Sequence, residues 1–259
     1  MRFLYKTVCL LAATMAWLAA AHFPVQAQPP LVVACPDYPP WRMALEDGSF
    51  GGIDIELIQL IAERMKLPLV VERMPWHRAM YMLETGDADM LSNVFKTPAR
   101  ERFLHFLSPP YRTRSRVVFY VPKGKEHRIA TYGDLGLLRV GTIKNVLYFP
   151  QFDADKALDK QPVMAELQNP RKLLDGHIDT YVETEVAGDW TLMQAKLSNR
   201  IDKADYHYEL ERPVYLVLSR HSRHADRLEE FNRTLRSLIG EGVVERLVDK
   251  YLEREGLDP

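Results

Sequence analysis

The chain has 259 residues, 47% of them hydrophobic and 27% charged, with a formal net charge of −1. A near-neutral balance argues against nucleic acid or an anionic membrane surface as the main partner. The hydrophobic content is enough for an ordinary core, in one large or two small domains.

Residues 1–27 read as a signal peptide. Arg2 and Lys6 form a positive start, Val8 to Ala21 an apolar stretch, and Val25-Gln26-Ala27 a small-x-small cleavage site. The apolar stretch is about 14 residues, short of the roughly 20 that span a bilayer. Cleavage after Ala27 is expected, with a retained anchor as the alternative. Cleavage removes two positive charges and no negative ones, taking the net charge from −1 to −3. Cys35 then remains alone, so no intramolecular disulfide can form. It is either an inert buried thiol or, near the loop that follows, a reactive one.

Leu31 to Ala34 is a short apolar strand, broken by Asp37-Tyr38-Pro39-Pro40-Trp41. After the turn signals Asp47-Gly48 and Gly51-Gly52, Ile53, Leu57, Leu60, Ile61 and Met65 recur at helical spacing, with Asp54 as a cap. Leu67 to Val71 is a second strand, Trp76 to Thr85 a helix ended by Gly86, and Asp89 to Ser92 a third strand. Strand and helix alternate, which favours a parallel α/β sheet. Arg116 to Val121 is β-prone, and Pro122-Lys123-Gly124-Lys125 ends it. The pattern then restarts with Leu138 to Gly141, a helix from Asn169-Pro170 to Gly176, and a strand from Ile178 to Val182. Pro213 to Ser219 is again β-prone, and helices are expected over His224 to Ile239 and Gly242 to Leu252.

The pattern Leu-x-x-Gly-x-x-Asp followed by a strand occurs twice, as Leu83, Gly86, Asp89 and as Leu173, Gly176, Asp179. Two copies suit two similar α/β lobes rather than a solenoid. The simplest architecture has lobe one over 28–122 and 213–259, lobe two over 123–212, and a hinge at the two crossings. A ligand would sit in the cleft between them, beyond the carboxyl ends of the strands.

Five segments in this order resemble the family 3 bacterial extracellular solute-binding proteins. They are Asp37 to Trp41, Gly52-Ile53-Asp54-Ile55-Glu56-Leu57, Gly86 to Asp89, Thr97-Pro98-Ala99-Arg100 and Gly176 to Asp179. The resemblance covers essentially the whole mature chain. It implies a type II periplasmic-binding-protein-like α/β fold, two lobes of mainly parallel sheet flanked by helices, closing on a small solute. By the same resemblance Tyr38 carries the ring that covers the ligand, and Trp41 is the aromatic just beyond. Arg100 pairs with the ligand carboxylate, and Trp76 stands near the cleft rim. On local sequence alone, Arg100 reads equally as a solvated charge beside Glu101 and Arg102.

Asn93 and Thr97 fall in a segment about one residue shorter than the family's. Two departures bear on the ligand. Asn145-Val146 stands where the family has Gly-Thr or Gly-Ser, and Thr184 stands where it has an acidic residue for the α-ammonium group. Glu183 and Glu185 flank Thr184, but neighbours on a strand point to opposite faces, so a bulge is needed to bring one in. A solvated strand end is the alternative for both.

The resulting expectation is a monomeric periplasmic receptor without cofactor or metal. It would bind a carboxylate-bearing solute, an amino acid or a relative, and deliver it to an ABC permease. The alternatives are a cleft enzyme of the cyclohexadienyl dehydratase type and a receptor feeding a signalling partner. His221 and His224 are a close pair without further ligands nearby, and no nucleophile, phosphate-loop or dinucleotide motif occurs.

Overall fold

The computed structural model describes residues 28–45, 47–144 and 146–252. The expected signal peptide and Asn145 lie outside the described residues. In chain order the elements are β1 (Leu31–Cys35), β2 (Met43–Ala44), β3 (Phe50–Gly51), α1 (Ile53–Arg64), β4 (Leu69–Arg73), α2 (Trp76–Thr85) and β5 (Met90–Val94). There follow α3 (Pro98–Glu101), β6 (Leu104–Phe106), β7 (Arg112–Pro122), β8 (Arg139–Ile143), α4 (Pro150–Ala154), β9 (Asp159–Val163) and α5 (Gln168–Leu174). The chain continues through β10 (Thr180–Thr184), α6 (Glu185–Gln194), β11 (Ile201–Ser219), α7 (Leu228–Gly240) and α8 (Val243–Tyr251).

The main sheet runs β4-β1-β5-β11-β7-β10-β8-β9, with β6 paired to β11. Each end is parallel: β1 with β4 and β5, and β8 with β9 and β10. The middle is antiparallel, because β11 pairs with both β5 and β7, and β7 pairs with β10. β11 is long enough to serve both halves. Its residues 201–211 run beside β7, and 215–219 run beside β5 and β6. The register slips between Glu211 and Val214, where the chain passes from one half to the other.

The long β11 is absent from the sequence expectation, which starts a strand only at Pro213. Residues 205–211 alternate around Asp205, His207, Glu209 and Glu211, a half-exposed pattern that hydrophobic runs do not flag. The expected lobe boundary at 122 also shifts. Val117, Phe119 and Val121 pack with Val140, Phe152 and Val182 in the second core. Residues 112–116 of β7 and 211–214 of β11 run side by side between the two cores. The first core joins Leu31, Val33, Ile53, Leu57 and Ile61 to Leu216 and Leu218, and to Phe231 and Leu235 of α7.

The repeated aspartates do the same job in both halves. Asp89 Oδ2 accepts from Val32 N at 2.8 Å, while Asp89 N donates to Val32 O at 2.8 Å. Asp179 Oδ2 accepts from Arg139 N at 2.9 Å, and Asp179 N donates to Arg139 O at 2.9 Å. Each aspartate thus ties the strand it begins to the opening strand of its half, satisfying a backbone donor that the parallel ladder leaves open. Gly86 and Gly176 precede them at φ 85° and 72°, a region that favours glycine.

Candidate functional site

The loop after β1 folds back on itself. Tyr38 N donates to Arg42 O at 2.8 Å and Arg42 N to Tyr38 O at 2.9 Å. The carbonyls of this turn then cap α1: Ile53 N donates to Pro40 O at 3.1 Å and Asp54 N to Trp41 O at 2.9 Å. Those are N–H groups that a helix start leaves without partners. Gly52, at φ 117°, lets the backbones meet, since a Cβ there would lie 2.5 Å from Trp41 O. The N-cap is therefore Gly52 and not the expected Asp54, which lies in the first turn, fully buried. Tyr251 Oη accepts from Gly52 N at 2.8 Å and donates to Glu56 at 2.7 Å, pinning α8 to the same junction.

Above this turn lies a cavity of about 840 Å³, bounded by both halves and by the crossing strands. Its first wall carries Tyr38, Trp41, Asn93, Phe95, Tyr111 and Arg112. The Arg112 guanidinium carbon is 3.5 Å from the Trp41 ring centre, and its Nη2 donates to Asn93 Oδ1 at 3.0 Å. Asn93 holds φ 58°, a left-handed conformation that turns its side chain at the end of β5. Behind this wall Arg42, 3% exposed, donates through Nη1 to Ser92 O at 2.6 Å and to Ser92 Oγ at 3.2 Å. Burial raises the Asp54 carboxyl, while Arg112 and then Arg42 pull it back toward the charged form.

The opposite wall carries Tyr148, Glu183 and Thr184. Tyr148 Oη accepts from Ile143 N at 3.0 Å, which fixes the ring against the end of β8. Glu183 Oε1 accepts from Thr184 N at 2.8 Å and from Thr184 Oγ1 at 3.3 Å. Burial pushes the Glu183 carboxyl up to about 7, with Glu166 adding to the rise. No cation pairs with Glu183 among the described residues. Glu185 differs: it holds Lys203 at 2.7 Å and stands 3.6 Å from Arg116. The two carboxylates are separated in role because Glu183 belongs to β10 and Glu185 begins α6. Burial also raises the Tyr38 phenol, which feels Arg112 from its own wall and Glu183 from the other.

Of the residues singled out in the sequence, Tyr38, Trp41, Asn93, Glu183, Thr184 and Glu185 line this cavity. Arg100, Trp76 and Thr97 are not among its lining residues. Arg100 Nη1 donates to Phe95 O at 2.8 Å, and its guanidinium carbon is 5.5 Å from the Trp76 ring centre. Thr97 is the N-cap of α3, its Oγ1 accepting from Arg100 N at 3.4 Å. Asn145 lies outside the described residues. Sequence reasoning missed Arg42, Arg112 and the buried position of Asp54. The available signal was a run of three arginines at alternate positions, Arg112, Arg114 and Arg116, which places all three on one side of a strand. Cys35 is fully buried, and burial pushes its thiol up to about 12, so it is the inert alternative.

A family model for bacterial extracellular solute-binding proteins, family 3, matches residues 31–254. A probable histidine-binding protein of Neisseria gonorrhoeae is 28% identical over 153 residues, covering 56% of this chain. That match spans about half, 55%, of the relative's own length. A probable amino-acid-binding protein of Bacillus subtilis is 21% identical over 214 residues, covering 81% of this chain and 79% of that protein. The second substrate binding domain of a putative amino acid ABC transporter from Streptococcus pneumoniae superposes with a TM-score of 0.72 at 19% identity. That superposition covers 86% of this chain and 99% of the domain, and shows the shared two-lobe α/β fold. The family match over nearly the whole described chain, on a fold of the same kind, identifies this protein as a member of the bacterial extracellular solute-binding proteins, family 3.

Proposed function

We propose that the protein is an exported, periplasmic receptor that binds a small zwitterionic solute of the amino-acid class in the cleft and presents it to an ABC permease. The observation that carries this reading is the opposition of charge across one cavity. Arg112 faces it from the first wall, and Glu183, without a cation of its own, faces it from the second. A guanidinium is suited to a carboxylate, and the carboxylate of Glu183 to an ammonium group. Tyr38, Trp41 and Tyr148 supply apolar surface between the two charges. The crossings at 112–116 and 211–214 are the hinge about which the walls close, a common mode of ligand enclosure.

In this reading Arg112 takes the role that the family resemblance gives to Arg100. The side chain of Arg100 is turned toward Phe95 O and Trp76, and Thr184 supports Glu183 rather than meeting the ligand. Histidine-, cystine- and amino-acid-binding relatives support the solute class. Likeness to the substrate binding domain of a putative amino acid ABC transporter supports delivery to a permease.

The test is native mass spectrometry of the purified mature protein for a retained solute, followed by a thermal-shift panel of the twenty amino acids. A retained or stabilising zwitterion supports the reading, since a ligand of the native state raises Tm by mass action. Stabilisation only by solutes without an ammonium group would overturn it. Turnover of the solute, seen as accumulating product, would replace binding with acid–base catalysis at Glu183.

A further inference from the structure

The first wall of the cleft is backed by two buried charges, Arg42 and Asp54, that the proposed function does not use. Arg42 is 3% exposed and Asp54 0% exposed, and neither lines the cavity. Arg42 Nε, Arg112 Nε, both Asp54 carboxylate oxygens and Tyr111 Oη are buried without a hydrogen bond of ordinary geometry. Five of the seven such side-chain atoms among the described residues therefore lie in this one cluster. The arginines are held by other groups. Arg42 is fixed by Ser92, and Arg112 by Trp41 and Asn93. Asp54 is thus not what orients either guanidinium. Its effect on them is electrostatic, across a poorly solvated space where charges are felt strongly. Burial opposes its ionised form, and Arg112, Arg42 and the first turn of α1 favour it. Two cations against one anion leave the wall one positive charge in excess.

We propose that Asp54 is a specificity-determining residue of the cleft: by cancelling one of the two guanidinium charges of the first wall, it tunes that wall for a single carboxylate and against ligands that present two negative charges there. The idea rests on the reading that Arg112 faces the ligand. Arg42 supplies the second charge from behind, without touching the solute.

A charge ladder tests it, with sulfate as the probe because it stays doubly negative at pH 8. Sulfate binding is read by thermal shift, with sodium chloride holding ionic strength constant. Counting the cluster charge, Arg42→Met gives 0, the wild type +1, the Arg42→Met/Asp54→Asn double variant +1 and Asp54→Asn +2. Sulfate affinity should rise by about tenfold per charge step, with the double variant close to wild type. Equal sulfate responses across the series, or an Asp54→Asn variant no tighter than wild type, would overturn the proposal. Should Asp54→Asn fail to fold alone, the double variant must still bind sulfate about tenfold tighter than Arg42→Met. A structural role for Asp54 would lower Tm without this ordering. The two failures are distinguishable: solute affinity that survives Arg112→Gln sinks the proposed function and this proposal with it, whereas a flat sulfate ladder beside a solute affinity lost in Arg112→Gln sinks the role of Asp54 alone.

Discussion

The guanidinium carbon of Arg112 sits 3.5 Å from the centre of the Trp41 ring. The contact places a cation over an aromatic face at the floor of the cleft, where it is worth up to about 2 kcal/mol when desolvated. It also fixes a long side chain that would otherwise lose rotamer freedom on binding a ligand. Trp41→Leu removes bulk from the first core and should lower Tm, and in the folded protein it should weaken solute binding about tenfold, because Arg112 is then less well held. Isothermal titration of the variant against the solute identified in the thermal-shift panel measures this. Unchanged affinity would separate the ring from the function of Arg112.

Glu183 gives the cleft a pH dependence. Its carboxyl is pushed up to about 7, so it is largely ionised at pH 8 and largely protonated at pH 6. An ammonium group binds the ionised form. Affinity for an ammonium-bearing solute should therefore fall about tenfold from pH 8 to pH 6. The unliganded protein should respond in the opposite direction. A raised carboxyl binds more protons folded than unfolded, so its cost to stability is relieved as pH falls from about 7 toward the ordinary glutamate value. Glu183→Gln should flatten both trends and lower affinity for the zwitterion.

Asp179 behaves in the reverse sense. The Arg139 hydrogen bonds hold its carboxyl down at about 2, with Arg128 adding a smaller pull. Its contribution to stability is present above the ordinary aspartate value and is lost as pH falls toward about 2. Asp179→Asn should cost about 1.5–3 kcal/mol at neutral pH, the usual range for a charged hydrogen bond. It should also flatten the acid limb of the stability curve, measured by urea unfolding at a series of pH values.

Cys35 should not react with a thiol reagent in the native protein at pH 8. It is fully buried, with its thiol pushed up to about 12. One equivalent of reaction should appear only when urea unfolds the mature chain. Fast labelling of the native state would contradict its burial in the first core.

The repeated glycine and aspartate were legible because their role is local. Gly86 ends α2 in a left-handed conformation, and Asp89 and Asp179 meet backbone donors of the neighbouring strand. Helix α2 has the limits that its periodicity and Gly86 predict. The crossing strands were legible only where they are apolar: Arg116 to Val121 and Pro213 to Ser219 lie within β7 and β11, but the charged stretches that carry each across did not show. Arg112 to Arg116 and residues 202–211 carry charges at most positions, and their pairing is decided by a partner about 90 residues away. The site divides in the same way. Tyr38 and Trp41 sit in a turn closed by its own hydrogen bonds, so a short segment announces them. Arg112 reaches the cleft because β7 passes between the two halves; the alternating arginines 112, 114 and 116 mark one side of a strand but not where that strand runs. The choice between Glu183 and Glu185 depends on Lys203, which a different strand supplies.

The most direct measurement compares the affinity of the wild type, Arg112→Gln and Arg100→Gln for the same zwitterionic solute by isothermal titration. With Arg112 as the carboxylate contact, Arg112→Gln should weaken binding by about 1.5–3 kcal/mol, roughly ten- to a hundredfold. Arg100→Gln should change it only a few-fold, because its guanidinium meets Phe95 O and Trp76 rather than the cavity. The reverse ordering, with binding lost in Arg100→Gln and kept in Arg112→Gln, would contradict the account.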